Sequence, residues 1–390
     1  MPSLSERADQ LDAADPLAAK RAEFDLDPEM SYLDGNSLGA PPKGVAARLA
    51  EVIGHQWARR LIRSWDEGWW TAPERVGDRV APLVGAAPGQ VVVGDSTSVN
   101  LFKALVAACR IADGRDEVLV DAETFPTDGY IADGAARLTG HRVRRVPVAA
   151  LGEAVSERTA VVLVNHVDYR TGALRELPLL TAAAHERGAL VLADLCHSVG
   201  ALPIELDALG VDFAVGCTYK FLNGGPGSPA FLYVPSKWQE EFDQPLAGWV
   251  GHRDPFAMEP GYRGAAGVRK GMAGTPDILS MLALDAALDV WDGVRIGQVR
   301  EKGLALGEFA FACVDELAPG VEVLTPRGPA RGNQVSLAFD GAREVTRALA
   351  DRAVLGDFRP PDVLRLGLAP LYVRYTDVLR AVRELRSCRT

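Results

Sequence analysis

The sequence contains no apolar run long enough to cross a membrane, and its first residues, MPSLSERADQLDAADP, are acidic rather than a basic segment followed by an apolar one. Positive charge is also in short supply, since 42 lysine and arginine residues face 52 aspartate and glutamate residues, for a net charge of -10. That balance repels nucleic-acid backbones and anionic membranes, and we find only short arginine clusters such as 142-RVRR-145. We therefore expect a cytoplasmic protein that binds neither nucleic acid nor a membrane.

Cysteine is rare as well, and its spacing excludes two kinds of site. The five cysteines are Cys109, Cys196, Cys217, Cys313 and Cys388. They include no CxxC pair and no spacing with histidine that is typical of a metal site. The sequence therefore predicts free thiols in a reducing compartment and no bound metal.

Lysine is scarce in a chain that takes most of its positive charge from arginine. The lysines nearest to Lys220 in the sequence are Lys103 and Lys237. Lys220 itself lies in FAVGCTYKFLNGGPGSPAFLYV, between an apolar run and a loop of glycines and prolines. Arginine never gives up its proton, whereas a lysine amine can do so and can then form an imine with an aldehyde. The sequence therefore predicts a chemical role for Lys220, with a solvated loop lysine as the alternative.

The composition, 48% apolar and 24% charged, is typical of a globular protein, and 390 residues suggest more than one domain. From about residue 90 to residue 234, β-branched runs alternate with alanine-rich segments of helical spacing, such as residues 98–109 and 178–188. The runs are continuously apolar, as in strands covered on both faces: 91-VVV-93, 117-EVLV-120, 160-AVVLV-164, 189-ALVLA-193 and 212-DFAVG-216. This pattern predicts a mainly parallel sheet in an α/β domain. After about residue 280 the pattern changes, which predicts a second, smaller α+β domain.

Ligands of open parallel sheets bind beyond the carboxyl ends of the strands, so the residues after each run are candidates for a site. Thr97 and Ser98 follow the first run and begin a predicted helix, whose free N–H groups favour an anion such as phosphate. An ordinary serine or threonine helix cap explains the same residues. The two residues alone therefore do not decide between phosphate binding and capping.

Asp194 ends an apolar strand, where a carboxylate is costly unless a cation or hydrogen-bond donors meet it. A pyridinium nitrogen is such a cation, and a helix-capping aspartate is an equally good explanation. His197, three residues on, could approach the same ring, although a structural histidine is the commoner case. Lys220 follows its own strand 26 residues after Asp194, so both side chains can reach one site at the edge of the sheet.

Aromatic side chains also follow the predicted strands. Phe125 shares a loop with Asp128, so a flat ring could stack on the phenyl group while its polar edge meets the carboxylate. Tyr219 stands beside Lys220, where its phenol could hold phosphate or relay a proton. Packing in the core is the alternative for both aromatic residues. The glycines that follow Lys220 allow the backbone to come close to a ligand.

Taken together, these residues make the sequence resemble fold type I pyridoxal-phosphate enzymes and, within them, the kynureninase family. The resemblance runs from about residue 30 to about residue 380. It rests on 32-YLDGNSLG-39, 64-SWDEGWW-70, 123-ETFPTDGY-130, 168-DYRTG-172, 194-DLCHSVG-200, 212-DFAVGCTYKFLNGGPG-227, 248-GWVGH-252, 274-GTPDIL-279 and 365-RLGLAPLY-372. A generic member of the aminotransferase class V superfamily would share the aspartate and the lysine but not this whole set.

The resemblance implies an α/β fold of the fold type I architecture, with a mainly parallel seven-stranded sheet flanked by helices. It places the large cofactor-binding domain at residues 51–285 and a small α+β domain at residues 286–390. The segment 1–50 would associate with the small domain and with the partner of a homodimer. The active site would then lie at the subunit interface.

The resemblance also assigns roles to single residues. Lys220 would hold pyridoxal 5'-phosphate covalently, and Asp194 would pair with its ring nitrogen. The other cofactor-binding residues would be Thr97, Ser98, Phe125, Asp128, Asn165, His197, Tyr219, Trp249 and Thr275, of which Trp249 and Thr275 would come from the other subunit. Arg365 would clamp the α-carboxylate of the substrate with its planar fork. Asn36 and Trp65 would contribute to the substrate pocket, although Asn36 could be a plain turn residue.

The reaction implied is the hydrolysis of L-kynurenine to anthranilate and L-alanine, a step of tryptophan degradation. Lys220 would remove the Cα proton, and Tyr219 would carry a proton to the alanine fragment. Trp65 and Thr275 stand where related enzymes can carry histidine and asparagine. This difference favours kynurenine over its 3-hydroxy derivative as the substrate.

Two other functions are compatible with parts of the pattern. A cysteine desulfurase or a class V aminotransferase would use the same cofactor, but a desulfurase needs a cysteine in a mobile loop, and neither Cys313 nor Cys388 is in such a segment. A binding protein that kept only the fold would have no need of a reactive amine. The lysine, the aspartate and the arginine together favour an enzyme.

Overall fold

A seven-stranded sheet lies at the centre of the computed structural model, which describes residues 2–389. The strands are β1 (Ser31–Tyr32), β2 (Val91–Val93), β3 (Glu117–Asp121), β4 (Arg142–Val146), β5 (Thr159–Asn165), β6 (Leu190–Asp194), β7 (Phe213–Gly216), β8 (Phe231–Tyr233), β9 (Glu322–Val323), β10 (Gln334–Ala338), β11 (Val354–Leu355), β12 (Asp357–Arg359) and β13 (Val363–Gly367). The central sheet has the order β2-β8-β7-β6-β5-β3-β4. Only β8 runs antiparallel to its neighbours. The predicted seven-stranded, mainly parallel sheet is therefore confirmed.

Helices connect the strands and pack against the central sheet. The α-helices are α1 (Leu4–Ala13), α2 (Lys43–Glu51), α3 (Ala72–Val80), α4 (Thr97–Ile111), α5 (Pro126–Thr139), α6 (Leu151–Ala154), α7 (Leu177–Glu186), α8 (Leu206–Leu209), α9 (Ile278–Ala287), α10 (Ile296–Leu317), α11 (Ala342–Ala350) and α12 (Tyr375–Arg389). Prolines stand in the first turns of α5 and α7, where their missing N–H costs nothing. Within residues 2–389, no helix is both long and apolar enough to cross a membrane.

Five strands of the central sheet were predicted from their apolar runs, and two were not. The strands β3, β5 and β6 are buried on both faces, which is why their sequences read as unbroken apolar runs. The strand β4 lies at the edge of the sheet, and its sequence, RVRRV, has mostly exposed arginines. The strand β8 has only three residues in a segment rich in glycine and proline. Neither sequence carries the periodicity of a buried strand.

A second sheet of four antiparallel strands, in the order β12-β13-β10-β9, forms near the C-terminus. In its register, Asp357 on β12 and Ser336 on β10 both lie opposite Arg365 on β13. The helices α10 and α11 pack on this sheet, and α12 packs on both of these helices. The pairing of strands thus surrounds Arg365 with polar neighbours from both sides.

The first residues of the chain pack on its last ones. The strand β1 pairs in parallel with β11, and α1 packs on α12. The carboxylate of Asp12 accepts hydrogen bonds from the backbone N–H groups of Tyr375 and Thr376, at 2.7 and 3.1 Å, and so caps the N-terminus of α12. The first residues therefore pack on the C-terminal part of the chain, and the division into segments 1–50, 51–285 and 286–390 stays a prediction.

The segment 32–39 lies between the lysine loop and the strand that carries Arg365. The backbone N–H of Gly39 donates to the carbonyl of Tyr219 at 2.7 Å. A Cβ added at Gly39 would lie 2.2 Å from the carbonyl oxygen of Lys220, and one added at Gly367 would lie 2.0 Å from Oδ1 of Asn36. Both positions therefore require glycine because the backbones approach each other closely.

Candidate active site

A cavity of about 240 Å³ opens at the carboxyl ends of the central strands. The predicted site residues that line it are Thr97, Ser98, Phe125, Asp128, Asn165, Asp194, His197, Tyr219 and Lys220. Thr127, Tyr169 and Cys196 complete the lining. Side chains that are far apart in the sequence meet here because the parallel strands all end at the same edge.

The amine of Lys220 contacts the imidazole of His197, with 3.2 Å between Nζ and Nε2. Burial, followed by the positive charges of Lys220 and Arg365, holds the pKa of His197 well below its ordinary value. The ring is therefore neutral at physiological pH and does not repel the amine. In the tautomer that carries its proton on Nδ1, the Nε2 atom accepts a hydrogen bond from the amine.

Two buried carboxyl groups face each other on the other side of the cavity. Asp194 accepts a hydrogen bond from the backbone N–H of Cys196 at 2.7 Å, and Asp128 accepts one from Nδ2 of Asn165 at 2.7 Å. Burial and the negative charge of Asp194 raise the pKa of Asp128 well above its ordinary value. The pair therefore holds a proton or needs a cation between its members, as a protonated pyridine nitrogen would supply.

An aromatic wall closes the same cavity. The ring of Phe125 is 39% exposed, which leaves a face free for a planar ligand, and the ring of Tyr169 meets it edge-on with 5.2 Å between centroids. Oδ1 of Asn165 fixes the turn below Phe125 by accepting from the Phe125 backbone N–H at 2.9 Å and from Oγ1 of Thr124 at 2.7 Å. The wall is therefore preorganised for stacking.

A second cavity of about 430 Å³ shares Thr97, Ser98 and Tyr219 with the first and extends to Thr275. It lies at the N-terminus of the 15-residue helix α4, where Ser96 caps the backbone N–H of Val99. The positive end of this helix and the hydroxyl groups suit a phosphate. With the carboxyl pair, the aromatic wall and Lys220, the residues present fit pyridoxal phosphate at its phosphate, ring nitrogen, ring face and aldehyde.

The phenol of Tyr219 lies where these two cavities meet. The neighbouring Cys217 thiol, followed by burial, raises the pKa of Tyr219 above its ordinary value. The phenol therefore keeps its proton at neutral pH and is available as a hydrogen-bond donor.

Arg365 is almost fully buried, and its fork is already occupied. Its Nε donates to Oδ1 of Asp357 at 2.7 Å, while Nη2 donates to Oδ2 of the same carboxylate. Nη2 also donates to Oγ of Ser37 at 3.1 Å, and Nη1 donates to the backbone carbonyl of Tyr169. The guanidinium thus reaches the cavity wall through Tyr169, but the free fork expected from the sequence is replaced by an ion pair with Asp357.

Besides Arg365 and Thr275, three further predicted residues lie outside the lysine cavity. Trp249 is 41% exposed, and its Nε1 donates to Oγ1 of Thr275 at 3.3 Å. Trp65 packs against Trp70 with 6.3 Å between centroids, and Trp70 in turn packs against Trp249. Asn36 is fully buried, and its Nδ2 and Oδ1 have no hydrogen-bond partner among residues 2–389. None of the three lines the cavity around Lys220.

Sequence reasoning missed Tyr169, Asp357 and Arg359. Tyr169 lies inside the motif 168-DYRTG-172, so the strand-end rule could have found it. Asp357 and Arg359 lie on one short strand, and their relation to Arg365 depends on the register of β12 against β13. No local pattern in the sequence specifies that register.

Comparisons with known proteins identify the family to which this chain is similar. The family model described as the kynureninase C-terminal domain matches residues 299–385. A kynureninase from Deinococcus radiodurans is 49% identical over 384 residues, which cover 96% of this chain and 93% of that protein. A kynureninase from Burkholderia pseudomallei is 45% identical over 392 residues, which cover 98% of this chain and 94% of that protein.

Solved structures show the same fold at low sequence identity. A cysteine desulfurase from Escherichia coli superimposes with a TM-score of 0.80 and 21% identity, over 95% of this chain and 98% of that chain. A C-DES variant with glycine linked covalently to its PLP cofactor gives a TM-score of 0.83 and 19% identity, over 94% and 98% of the two chains. These similarities establish the fold type I architecture.

Proposed function

Because this chain belongs to the kynureninase family, we propose that it hydrolyses L-kynurenine to anthranilate and L-alanine with pyridoxal phosphate as its cofactor. The observation that carries the proposal is the single cavity that joins Lys220, the carboxyl pair of Asp194 and Asp128, and the Phe125 ring. Each group matches a different part of the cofactor.

When bound, pyridoxal phosphate supplies an electron sink for the charge left at Cα after its proton is removed. Lys220 provides the amine that bonds to the cofactor and then removes this proton. His197 directs the amine, since its neutral Nε2 lies 3.2 Å from Nζ. The negative charge of Asp194 stabilises a positive charge on the ring nitrogen. Asp128, which accepts a hydrogen bond from Asn165, assists Asp194 in this role.

Proton return to the alanine fragment is proposed for Tyr219. Its raised pKa leaves the phenol protonated, as a donor must be. Arg365 binds the α-carboxylate, and Phe125 orients the ring plane. The guanidinium of Arg365 already donates hydrogen bonds to Asp357, so it must be shared between Asp357 and the substrate carboxylate. Trp65 and Asn36 are proposed as more distant parts of the substrate pocket, and we propose a preference for kynurenine over 3-hydroxykynurenine.

We further propose a cytoplasmic homodimer in which Trp249 and Thr275 complete the partner's phosphate site. Support comes from apolar side chains exposed on the segment after α2, where Ile53, Trp57 and Ile62 are 47%, 55% and 77% exposed. Surfaces of this kind mark protein interfaces when they are contiguous. Trp249 and Thr275 also lie at the surface, joined by a hydrogen bond.

Cysteine desulfurase activity, the main alternative, needs a reactive thiol on a mobile loop. Cys196 lines the cavity, but it is buried, and its hydrogen bond with Cys217, followed by burial, raises its pKa well above the ordinary value. Cys313 is fully buried within α10, and Cys388 lies in the last helix, α12. Neither thiol can reach a substrate at Lys220 from a mobile loop. The similarity to desulfurase structures therefore reflects a shared fold.

The proposed function is tested by incubating the protein and pyridoxal phosphate with L-kynurenine. Anthranilate fluorescence should appear together with L-alanine in equal amounts, and Lys220→Ala should abolish both products. Release of sulfide or alanine from cysteine, with no reaction of kynurenine, would favour the alternative. A protein that shows no visible absorbance band with pyridoxal phosphate would contradict both enzymatic functions.

A further inference from the structure

Two arginines on neighbouring strands share one carboxylate at the edge of the active site. Asp357 and Arg359 lie two residues apart on β12, so their side chains point to the same face of the sheet. Asp357 lies directly opposite Arg365 on β13. Its Oδ2 accepts from Arg365 and forms an ion pair with Nη2 of Arg359 at 2.8 Å. One carboxylate thus holds two guanidinium groups side by side.

The guanidinium of Arg365 has little capacity left for a ligand. Its Nε and Nη2 donate to Asp357, Nη2 also donates to Ser37, and Nη1 donates to the Tyr169 carbonyl. Among residues 2–389, only the second N–H on Nη1 has no partner. Arg365 alone therefore cannot offer two parallel hydrogen bonds to a carboxylate without first releasing a neighbour.

Arg359 has the capacity that Arg365 lacks. Its side chain is 36% exposed, and within residues 2–389 its one ion pair is with Asp357, beside a 3.4 Å hydrogen bond from Nη1 to the carbonyl of Phe358. The charge of Arg359 contributes to the lowered pKa of His197, after burial and the charges of Lys220 and Arg365. Contacts also link Arg359 to the cavity, since Asp357 joins it to Arg365, and Arg365 donates to the carbonyl of Tyr169, a residue of the cavity lining.

The cluster formed by Asp34, Asp357, Arg359 and Arg365 has an excess of positive charge, so it can bind one more anion. Asp34, next to the pair, has its Oδ1 buried without a hydrogen-bond partner among residues 2–389. Burial and the charge of Asp357 raise the pKa of Asp34 to about 7, so it is partly protonated at neutral pH. Asp357 then remains the main counter-charge to two arginines. A ligand carboxylate would balance the cluster.

We propose that Arg359 binds the α-carboxylate of the amino-acid substrate together with Arg365, and that Asp357 is the positioning residue that holds the two guanidinium groups together. The α-carboxylate then receives donors from two strands. The inference rests on the proposed function only in taking an α-amino acid as the ligand. Its test can therefore be separated from kynurenine hydrolysis.

The test compares two probes that differ only in the carboxylate: L-alanine and ethylamine. Each is titrated by calorimetry into the protein loaded with pyridoxal phosphate, as wild type, Arg359→Gln and Arg359→Lys. We expect Arg359→Gln to weaken L-alanine binding by about tenfold or more, since a hydrogen bond between charged groups is lost, and to leave ethylamine binding unchanged. Arg359→Lys should recover part of the lost affinity because it keeps the charge.

Arg327→Gln is the matched control, because Arg327 forms a bidentate ion pair with Asp315 on an exposed surface. It should change neither affinity. Equal weakening of both probes in Arg359→Gln, or no weakening of either, would overturn the proposal. Asp357→Asn provides a second measurement, and it should raise the KM for L-kynurenine more than it lowers kcat. Failure of kynurenine turnover in the wild type, with the contrast between the two probes intact, would count against the proposed function alone.

Discussion

The Nε2 atom of His197 lies 3.2 Å from the Nζ atom of Lys220, and the imidazole is held in its neutral form. This contact joins the residue three positions after β6 to the residue four positions after β7. It is a direct result of the parallel pairing of the two strands. With its proton on Nδ1, the imidazole accepts a hydrogen bond from the amine and so fixes the direction in which the amine points.

Removing this acceptor should impair the lysine without unfolding the protein. We expect His197→Ala to lower kcat by about tenfold to a hundredfold, since a positioned proton-transfer group loses its alignment. The pH at which the visible cofactor band titrates should also shift, which a purely structural role would not cause. Steady-state kinetics and a spectral pH titration measure the two effects. His141→Ala, at a position between α5 and β4 that does not line the cavity, is the control and should change neither.

Asp194→Asn should weaken the electrostatic support of the cofactor ring. The amide keeps the shape of the carboxylate and can still accept from the Cys196 backbone N–H, but it carries no charge. We expect turnover to fall by about two orders of magnitude, as when one preorganised electrostatic group is removed from an active site. Turnover of L-kynurenine at saturating cofactor checks this expectation. Unchanged turnover would remove Asp194 from the proposed mechanism.

Asp34 should make stability depend on pH. Burial, followed by the charge of Asp357, raises its pKa from an ordinary value of 3.8 to about 7, so the folded state binds this proton more tightly than the unfolded chain does. The resulting stabilisation is fully present below pH 3.8 and is lost as the pH rises through about 7. Asp34→Asn removes this contribution. The free energy of unfolding of the wild type, minus that of the variant, should fall by up to roughly 4 kcal/mol across that window.

Urea unfolding of both proteins at a series of pH values measures this difference. A difference that stays constant with pH would mean that Asp34 titrates normally. Because Asp357 and Arg365 lie beside Asp34, activity should be followed separately from stability.

Gly39→Ala should disturb the loop that carries Lys220, because Gly39 packs directly against this loop. The added Cβ would lie 2.2 Å from the carbonyl oxygen of Lys220 and 2.5 Å from Nδ2 of Asn223, so the two backbones must separate. We expect a loss of about 1 to 3 kcal/mol in the free energy of unfolding, together with reduced turnover. Thermal unfolding and kynurenine kinetics test both.

Gly44→Ala is the matched control for that substitution. No atom lies within 4 Å of a Cβ added at Gly44, and the residue lies in α2. Alanine should therefore stabilise this helix slightly. If Gly39→Ala behaved like Gly44→Ala, the close packing of the segment 32–39 on the lysine loop would be wrong.

The part of the site that follows parallel strands could be predicted from the sequence. Asp194, Phe125 and Lys220 come after apolar runs, and the strand-end rule brings them to one edge. The position of Lys220 in the cavity agrees with its prediction as a site residue, and its covalent role, which an arginine could not fill, stays a proposal. His197 was also a candidate from its place three residues after Asp194, and family resemblance added Asn165 to the same cavity.

The part built by antiparallel register could not be predicted. Asp357 occupies the fork of Arg365 because β12 and β13 pair at that register, which is set by tertiary packing. The strand β4 was missed for a related reason, since an edge strand with exposed arginines needs no apolar pattern. Trp65 packs in a cluster of tryptophans that its spacing in SWDEGWW does not reveal.

The segment 32–39 has a consequence for synthesis on the ribosome. It pairs with residues 354–355 through β1 and β11, and Asp34 bridges to Gly367, so its partners are translated more than three hundred residues later. Domains emerging from the ribosome usually fold as they appear. Here the central sheet can form early, but the segment that packs on the loop of Lys220 is held in place only when the chain is nearly complete. A nascent chain should therefore acquire the ability to retain its cofactor late, after its sheet has already become resistant to proteases.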